Sequence, residues 1–251
     1  MNNDLLDLAK CAAIKAGEFL KSRKSIVVED TNQRDIKLSS DKRSEQIIIE
    51  ELEKTGIPIL SEETGLLGNE EHEFKWIIDP LDGTANYYKN MPDLACVSIA
   101  LWDRTGPILG VVNRFAVSEM YYGVVGQGSF MNGEKIRPSD IKRTRDAIMA
   151  TGFPVFRDYS TDSLLTYIKK VQHFKKTRMI GAAALMSTFV ACGKIDAYFE
   201  EEIMIWDIAA GTAIVKASGG IAEIEMLNGN KCICRCFANK ELREDYYAKG
   251  I

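Results

Sequence analysis

Trp76-Ile77-Ile78-Asp79-Pro80-Leu81-Asp82-Gly83-Thr84 runs from an apolar segment straight into two carboxylates. Phe74 to Ile78 shows no polar alternation, the pattern of a strand buried on both faces. The end of that strand fixes both acids. Pro80 restricts the backbone and has no N–H to donate, so the turn can aim the Leu81 carbonyl at the same point as the carboxylates. Gly83 and Thr84 open a new helix, whose free backbone N–H groups form a cradle for a phosphate.

Upstream, Leu5, Leu8, Ala9, Ala12, Ala13, Ala16, Phe19 and Leu20 recur at helical spacing and predict an opening amphipathic helix rather than a secretion signal. A second helix is expected near 41–52, capped by Ser39 and Ser40, with Asp41 at its positive end. Ile57 to Leu60 predicts another buried strand, closed by Ser61-Glu62-Glu63-Thr64-Gly65. Downstream, the pattern from Leu94 to Tyr122 is strand-like, with CVSIALW, ILGVVN and SEMYYGVV separated by turn residues and Asn132-Gly133 supplying a tight turn, and it reads as an antiparallel meander. Helical patterns at 160–175, 181–193 and 207–218 then alternate with strand-like pieces near 147–151, 195–199 and 221–226. Residues 1–140 thus form a helix and antiparallel-sheet region, and residues 141–251 a mixed α/β region that supplies Asp207. No Pro/Gly/Ser-rich linker parts them, so a cleft at a shared interface is expected.

The chain has 251 residues with 36 acidic and 32 basic side chains, a net charge of −4, and a 46% hydrophobic fraction. That balance offers no field for nucleic acid or an anionic membrane, and an anionic substrate needs help from a cation. No apolar run approaches the roughly 20 residues that span a bilayer. Six scattered cysteines without a secretory context fit a reducing cytoplasm. Cys232, Cys234 and Cys236 alternate onto one strand face and read as small core residues rather than metal ligands. Gly126-Gln127-Gly128 reads as a hairpin turn.

Glu62, Asp79, the Leu81 carbonyl, Asp82 and Asp207, which follows Trp206 and begins a helix ended by Gly219, make an all-oxygen set. Such a set suits a hard cation such as Mg²⁺. His72 and His173 are the two histidines, neither spaced with another zinc donor.

Together these motifs resemble the inositol monophosphatase family, the lithium-sensitive, magnesium-dependent phosphatases. The resemblance includes Glu62-Glu63, Asp79 to Thr84, Gly126 to Gly133, Thr151-Gly152-Phe153-Pro154, Gly181 to Leu185, Trp206-Asp207 and Gly219-Gly220. It implies a layered αβαβα sandwich, a homodimer, and two or three Mg²⁺ ions held by Glu62, Asp79, Leu81, Asp82 and Asp207. Asp41 with Thr84 then orients and helps deprotonate an attacking water, and Glu63 sits beside that water. The Gly83 and Thr84 backbone holds phosphoryl oxygens, Glu200 bonds a substrate hydroxyl, and Gly181, Ala182 and Ala183 border the pocket.

Plainer accounts stand beside each role. Asp-x-x-Asp alone is a solvated turn, Thr84 a helix cap, Asp41 a first-turn acid, and Glu200-Glu201-Glu202 a wet charged face. The leading substrate is an inositol monophosphate, with a bisphosphate nucleotide or a sugar phosphate as the rival. Two departures bear on that choice: Met204 stands where several inositol phosphatases carry histidine, and Asp30 where some carry lysine. A catalytically idle regulatory homologue is the remaining alternative, although such a chain should have lost some ligand acids and this one keeps all of them.

Overall fold

The structure, a computed structural model, describes residues 2–23, 26–31, 36–155 and 157–250. Helix α1 (Asn2–Lys21) buries Ala9, Ala12, Ala13, Ala16 and Leu20, the stripe its 3.6-residue period demands. A short hairpin of β1 (Val28–Thr31) and β2 (Ile36–Leu38) leads into α2 (Ser39–Leu52). Next come β3 (Ile59–Ser61), β4 (Gly65–Leu67), β5 (Phe74–Asp82) and the short helix α3 (Thr84–Tyr88). The meander follows as β6 (Cys96–Asp103), β7 (Gly106–Arg114), β8 (Glu119–Val124), β9 (Gly128–Met131) and β10 (Glu134–Lys135). These strands build an eight-stranded sheet in the order β10-β9-β8-β7-β6-β5-β3-β4, in which β3 and β5 are the parallel pair.

The second half supplies β11 (Ile148–Thr151), α4 (Thr161–Val171), β12 (Lys176–Arg178), α5 (Ala183–Ala191), β13 (Ala197–Met204), α6 (Ile205–Ser218), β14 (Ile221–Met226), β15 (Lys231–Phe237) and α7 (Lys240–Tyr247). Its five strands are ordered β12-β11-β13-β15-β14, parallel over the first three and antiparallel beyond.

Three apolar clusters define the layers. One joins α1 and α2 to the large sheet, one packs α5 and α6 between the two sheets, and one sets α4 and α7 against the outer face of the small sheet. The result is the αβαβα sandwich. The apolar stretch Trp76–Ile78 of β5 is buried on both faces: Trp76 and Ile78 enter the cluster under α1 and α2, while Ile77 enters the one with α5 and α6. Cys232, Cys234 and Cys236 all point into the central cluster, with Ile233 and Phe237 on the opposite side. Among the described residues no helix is long and apolar enough to cross a membrane.

Helix α6 presses on the large sheet so closely that Gly110 of β7 has no room for a side chain. A Cβ there would lie 2.3 Å from the Ala210 carbonyl oxygen. Because backbone cannot swing aside as a side chain can, Gly110→Ala should destabilise the fold by about 1–3 kcal/mol. Urea unfolding would show it as a lower midpoint at unchanged slope.

Several boundaries differ from expectation. Ser39 and Ser40 lie inside the first turn of α2 and the cap is Leu38, whose N–H donates to Asp41 Oδ2 at 2.8 Å. Asp207 is the third residue of α6 rather than its first, with Oδ2 accepting the Met204 N–H at 3.3 Å. In both helices a carboxylate at the third position accepts the cap residue's own N–H, the half of a capping box that complements a serine at the cap. Gly219, at φ 94°, ends α6 as its left-handed conformation allows.

Candidate active site

Helix α2 holds the two acid-bearing turns of the large sheet from below. Its buried polar residues Asp41, Ser44 and Glu45 share one face, as positions three and four apart do. The Ser44 hydroxyl donates to the Pro80 carbonyl at 2.8 Å. Glu45 accepts the Thr64 N–H at 3.0 Å and the Thr64 hydroxyl at 2.6 Å. The turn after β3, which carries Glu62 and Glu63, and the turn at Pro80 are thereby tied to the same helix.

Strand β5 bulges against β6 between Asp79 and Asp82, and β13 bulges against β15 between Glu200 and Ile203. A bulge inserts one residue and re-aims its neighbours. In β13 the adjustment leaves Glu202 at φ 59°, a conformation a non-glycine residue seldom holds. At β5, Asp79 Oδ1 accepts the Leu81 N–H at 2.9 Å, and Thr84 Oγ1 donates to the Leu81 carbonyl at 2.9 Å. Asp82 reaches the start of α5, where its oxygens accept the Ala183 and Ala184 N–H groups at 3.1 and 2.8 Å, and Cys96 Sγ donates to it at 3.5 Å.

Two glycines make room. Gly83 sits at φ 88°, and a Cβ there would meet the Leu94 carbonyl oxygen at 2.7 Å. A Cβ on Gly152 would lie 2.5 Å from Glu200 Oε1, so the missing side chain is the space the Glu200 carboxyl fills.

Glu62, Asp79, Asp82, Glu200, Glu202 and Asp207 line one cavity of about 450 Å³, together with Thr84 and the Gly181–Ala183 segment. Burial is the main force on its acids. It pushes Glu62 up to about 8, helped by Glu63 and Asp41, and lifts Asp79 well above the usual carboxylate range, helped by Glu62, Asp82 and Asp207. Asp207 is raised in the same way, by burial and then by Glu62, Asp82 and Glu200. Glu200 rises to about 8 through burial and then Asp82. Asp82 rises only to about 6, because the Ala184 and Ala183 amides favour its ionised form.

Lys37 is the one cation among the described residues lining this cavity. Six carboxylates cannot all ionise there without added positive charge. Their donors are all oxygen, the type that suits Mg²⁺, so the set fits that ion by charge and by chemistry. Among the described residues no three acidic, histidine or cysteine side chains already close into a metal-holding group. Asp82 and Asp207 instead turn oxygens toward backbone N–H groups, as given above. A larger cavity of about 550 Å³ lies beside α1, with Lys10, Lys21 and Asn113, but Glu18 is its single carboxylate and it offers no comparable chemistry.

The metal-ligand residues read from sequence therefore meet, as do Gly83, Thr84, Gly181, Ala182, Ala183 and Glu200. Asp41 and Glu63 do not line the cavity. Asp41 is buried and its charge helps raise Glu62, and Glu63 is paired with Lys37 at 3.0 Å. Glu200 is 3% exposed and so is no wet face, whereas its neighbour Glu201 pairs with Arg157 and Lys170. Met204 lines the cavity, and the Asp30 side chain lies outside the described residues. Lys37, Gly152 and Glu202 were missed as site residues. Gly152 stood within a quoted motif, Glu202 within the acidic run, and Lys37 had no signal at all.

Comparison with known proteins agrees with this geometry. The model of the inositol monophosphatase family matches residues 1–232. The protein named "Nus factor SuhB" from Xylella fastidiosa is 34% identical over 227 residues, covering 88% of this chain and 82% of that one. The "Inositol-1-monophosphatase" of Mesorhizobium japonicum is 34% identical over 224 residues, covering 86% and 84%. The solved structure of an inositol monophosphatase from Anabaena superposes with a TM-score of 0.85 at 29% identity, covering 99% of this chain and 96% of that one.

Proposed function

The chain belongs to the inositol monophosphatase family, whose members are metal-dependent phosphatases, and on that premise we propose that it is a Mg²⁺-dependent phosphomonoesterase acting on a small polyol phosphate, first among them inositol monophosphate. The observation that carries the proposal is the convergence of acids from three distant segments, the β3 turn, the end of β5 and the start of α6, in one cavity beside Gly83 and Thr84.

Glu62, Asp79, the Leu81 carbonyl, Asp82 and Asp207 would hold the ions, and Mg²⁺ there would supply charge neutralisation for the ester and a lowered pKa for a water. The chain's own groups do the rest. On the family's pattern Thr84 with Asp41 would orient that water and take its proton and Glu63 would sit beside it; Thr84 lines the cavity, and the two acids do not. Backbone N–H groups of Gly83 and Thr84 receive phosphoryl oxygens. Glu200, whose carboxyl burial pushes up to about 8, would offer a polyol hydroxyl a hydrogen-bond partner. The small Gly181-Ala182-Ala183 segment leaves space for the ring. On this reading the protein works in the cytoplasm as a homodimer, with neither nucleic acid nor membrane as a partner; its six free cysteines and net charge of −4 support that setting.

The test is phosphate release at millimolar Mg²⁺ from inositol 1-phosphate, fructose 1,6-bisphosphate and adenosine 3′,5′-bisphosphate. Fastest turnover is expected with the inositol ester. Preference for the nucleotide or the sugar would move the substrate, and silence with all three would end the enzyme reading. Gly152→Ala should displace Glu200 and weaken one hydrogen bond to the polyol, worth about 1–1.5 kcal/mol, hence a rise in KM of up to about tenfold. Hydrolysis of p-nitrophenyl phosphate, which has no polyol, should change much less.

A further inference from the structure

Glu200, Glu201 and Glu202 are consecutive on β13, yet their surroundings differ. Glu200 and Glu202 both line the acid cavity, whereas Glu201 does not and pairs with Arg157 and Lys170. Glu200 is buried and the Glu202 side chain is 34% exposed, so Glu200 lies deep and Glu202 at the mouth.

The backbone of Glu202 is what sets it apart. At φ 59°, within the bulge of β13 against β15, it holds a conformation that glycine adopts freely and other residues only at a cost. A residue strained in this way persists where its surroundings hold it, and such residues cluster at ligand sites. The Asp158 N–H donates to Oε1 at 3.3 Å, and the Lys231 ammonium lies 4.0 Å from Oε2. Neither Asp158 nor Lys231 lines the cavity, so the carboxylate is anchored from outside it.

Charge then decides what the mouth can accept. An ester held by its phosphate at Gly83 and Thr84 must lay its remaining groups against the other lining residues. Among the described ones Lys37 is the one cation, and Glu63 occupies it. A neutral hydroxyl can approach Glu202 without penalty. A second phosphate meets a like charge with no cation to offset it, a repulsion large enough to set specificity.

We propose that Glu202 is a specificity-determining residue, which admits a polyol bearing one phosphate and turns away an ester bearing a second. This deepens the reading under Proposed function and rests on it. The residue acts at the open end of the cavity and is none of the acids assigned there to Mg²⁺.

The test compares a matched pair, fructose 1-phosphate and fructose 1,6-bisphosphate, by kcat/KM for phosphate release. Wild type should favour the monophosphate at least about tenfold. Glu202→Gln keeps the shape and loses the charge; it should shift the ratio toward the bisphosphate at least about tenfold, through a lower KM for that ester. Glu202→Asp should keep the wild-type ratio. In EDTA, Glu202→Gly should melt no lower than wild type, because glycine holds φ 59° without strain. An unchanged ratio in Glu202→Gln, a ratio that moves only because the monophosphate slows, or a Glu202→Asp as permissive as Glu202→Gln overturns the inference while the phosphatase reading stands. So does a clear fall in the melting temperature of Glu202→Gly, which would make Glu202 a structural residue. No phosphate release by wild type from either sugar ester or from inositol 1-phosphate overturns both.

Discussion

Asp207→Asn should fold like the wild type yet release phosphate at least about 100-fold more slowly, beyond the about 10–100-fold that loss of an outer partner of a metal ligand costs. The asparagine oxygen can still accept the Met204 N–H, so the start of α6 keeps its cap. What disappears is one of the four charges proposed to hold divalent ions. The same exchange removes the repulsion that Glu62, Asp82 and Glu200 exert on Asp207 and that Asp207 exerts on Asp79, so without metal the variant should melt no lower than wild type. Asp207→Ala is the contrast. It also loses the cap and should cost about 1 kcal/mol of stability on top of the activity. Phosphate-release kinetics paired with thermal unfolding in EDTA separates the two variants. If Asp207→Asn lost its stability along with its turnover, Asp207 would be a structural residue and the metal role would fall.

The part of the acid cavity legible in the sequence is the part whose chemistry is local. Asp79 to Thr84 packs two acids, a proline and a helix start into one turn, and Cys232, Cys234 and Cys236 declare their common face by alternation alone. The rest depends on partners that sequence does not place. Each bulge, at Asp79–Asp82 and at Glu200–Ile203, is a mismatch between two strands and exists only once both have paired. Ser44 and Glu45 carry no motif, yet they anchor Pro80 and Thr64, residues far from them in the chain. Ser39 and Ser40 were expected to cap α2 by type, and Asp41 capped it by geometry. Lys37 is one lysine among many until the fold brings Glu63 to it. Residues whose role is set by a contact distant in sequence are thus the ones that sequence reasoning passes over.

The same electrostatics fixes how stability should depend on pH and metal. Free carboxyls titrate near about 4, whereas in the folded chain Asp82 stands at about 6 and Glu62 and Glu200 at about 8, with Asp79 and Asp207 also raised. Across that window the native state binds more protons than the unfolded state, so its stability falls as pH rises. The contribution of these acids is fully present below about pH 4 and is lost progressively up to and through about pH 8. Metal-free protein should therefore melt lower at pH 8.5 than at pH 5.5. Mg²⁺ competes with those protons, so its affinity should rise over the same range. At a hundredfold excess over Kd the ion adds about 2.7 kcal/mol. For a chain of this size that is about 5–10 °C in Tm. The gain should be near its maximum at pH 8.5 and small at pH 5.5, as read by calorimetry with EDTA or Mg²⁺ at each pH. A Mg²⁺ shift of equal size at both pH values would mean that the ion binds away from the buried acids. A metal-free Tm that climbed toward pH 8.5 would mean that those acids carry no such strain, and the physical reason for a divalent ion at the centre would be gone.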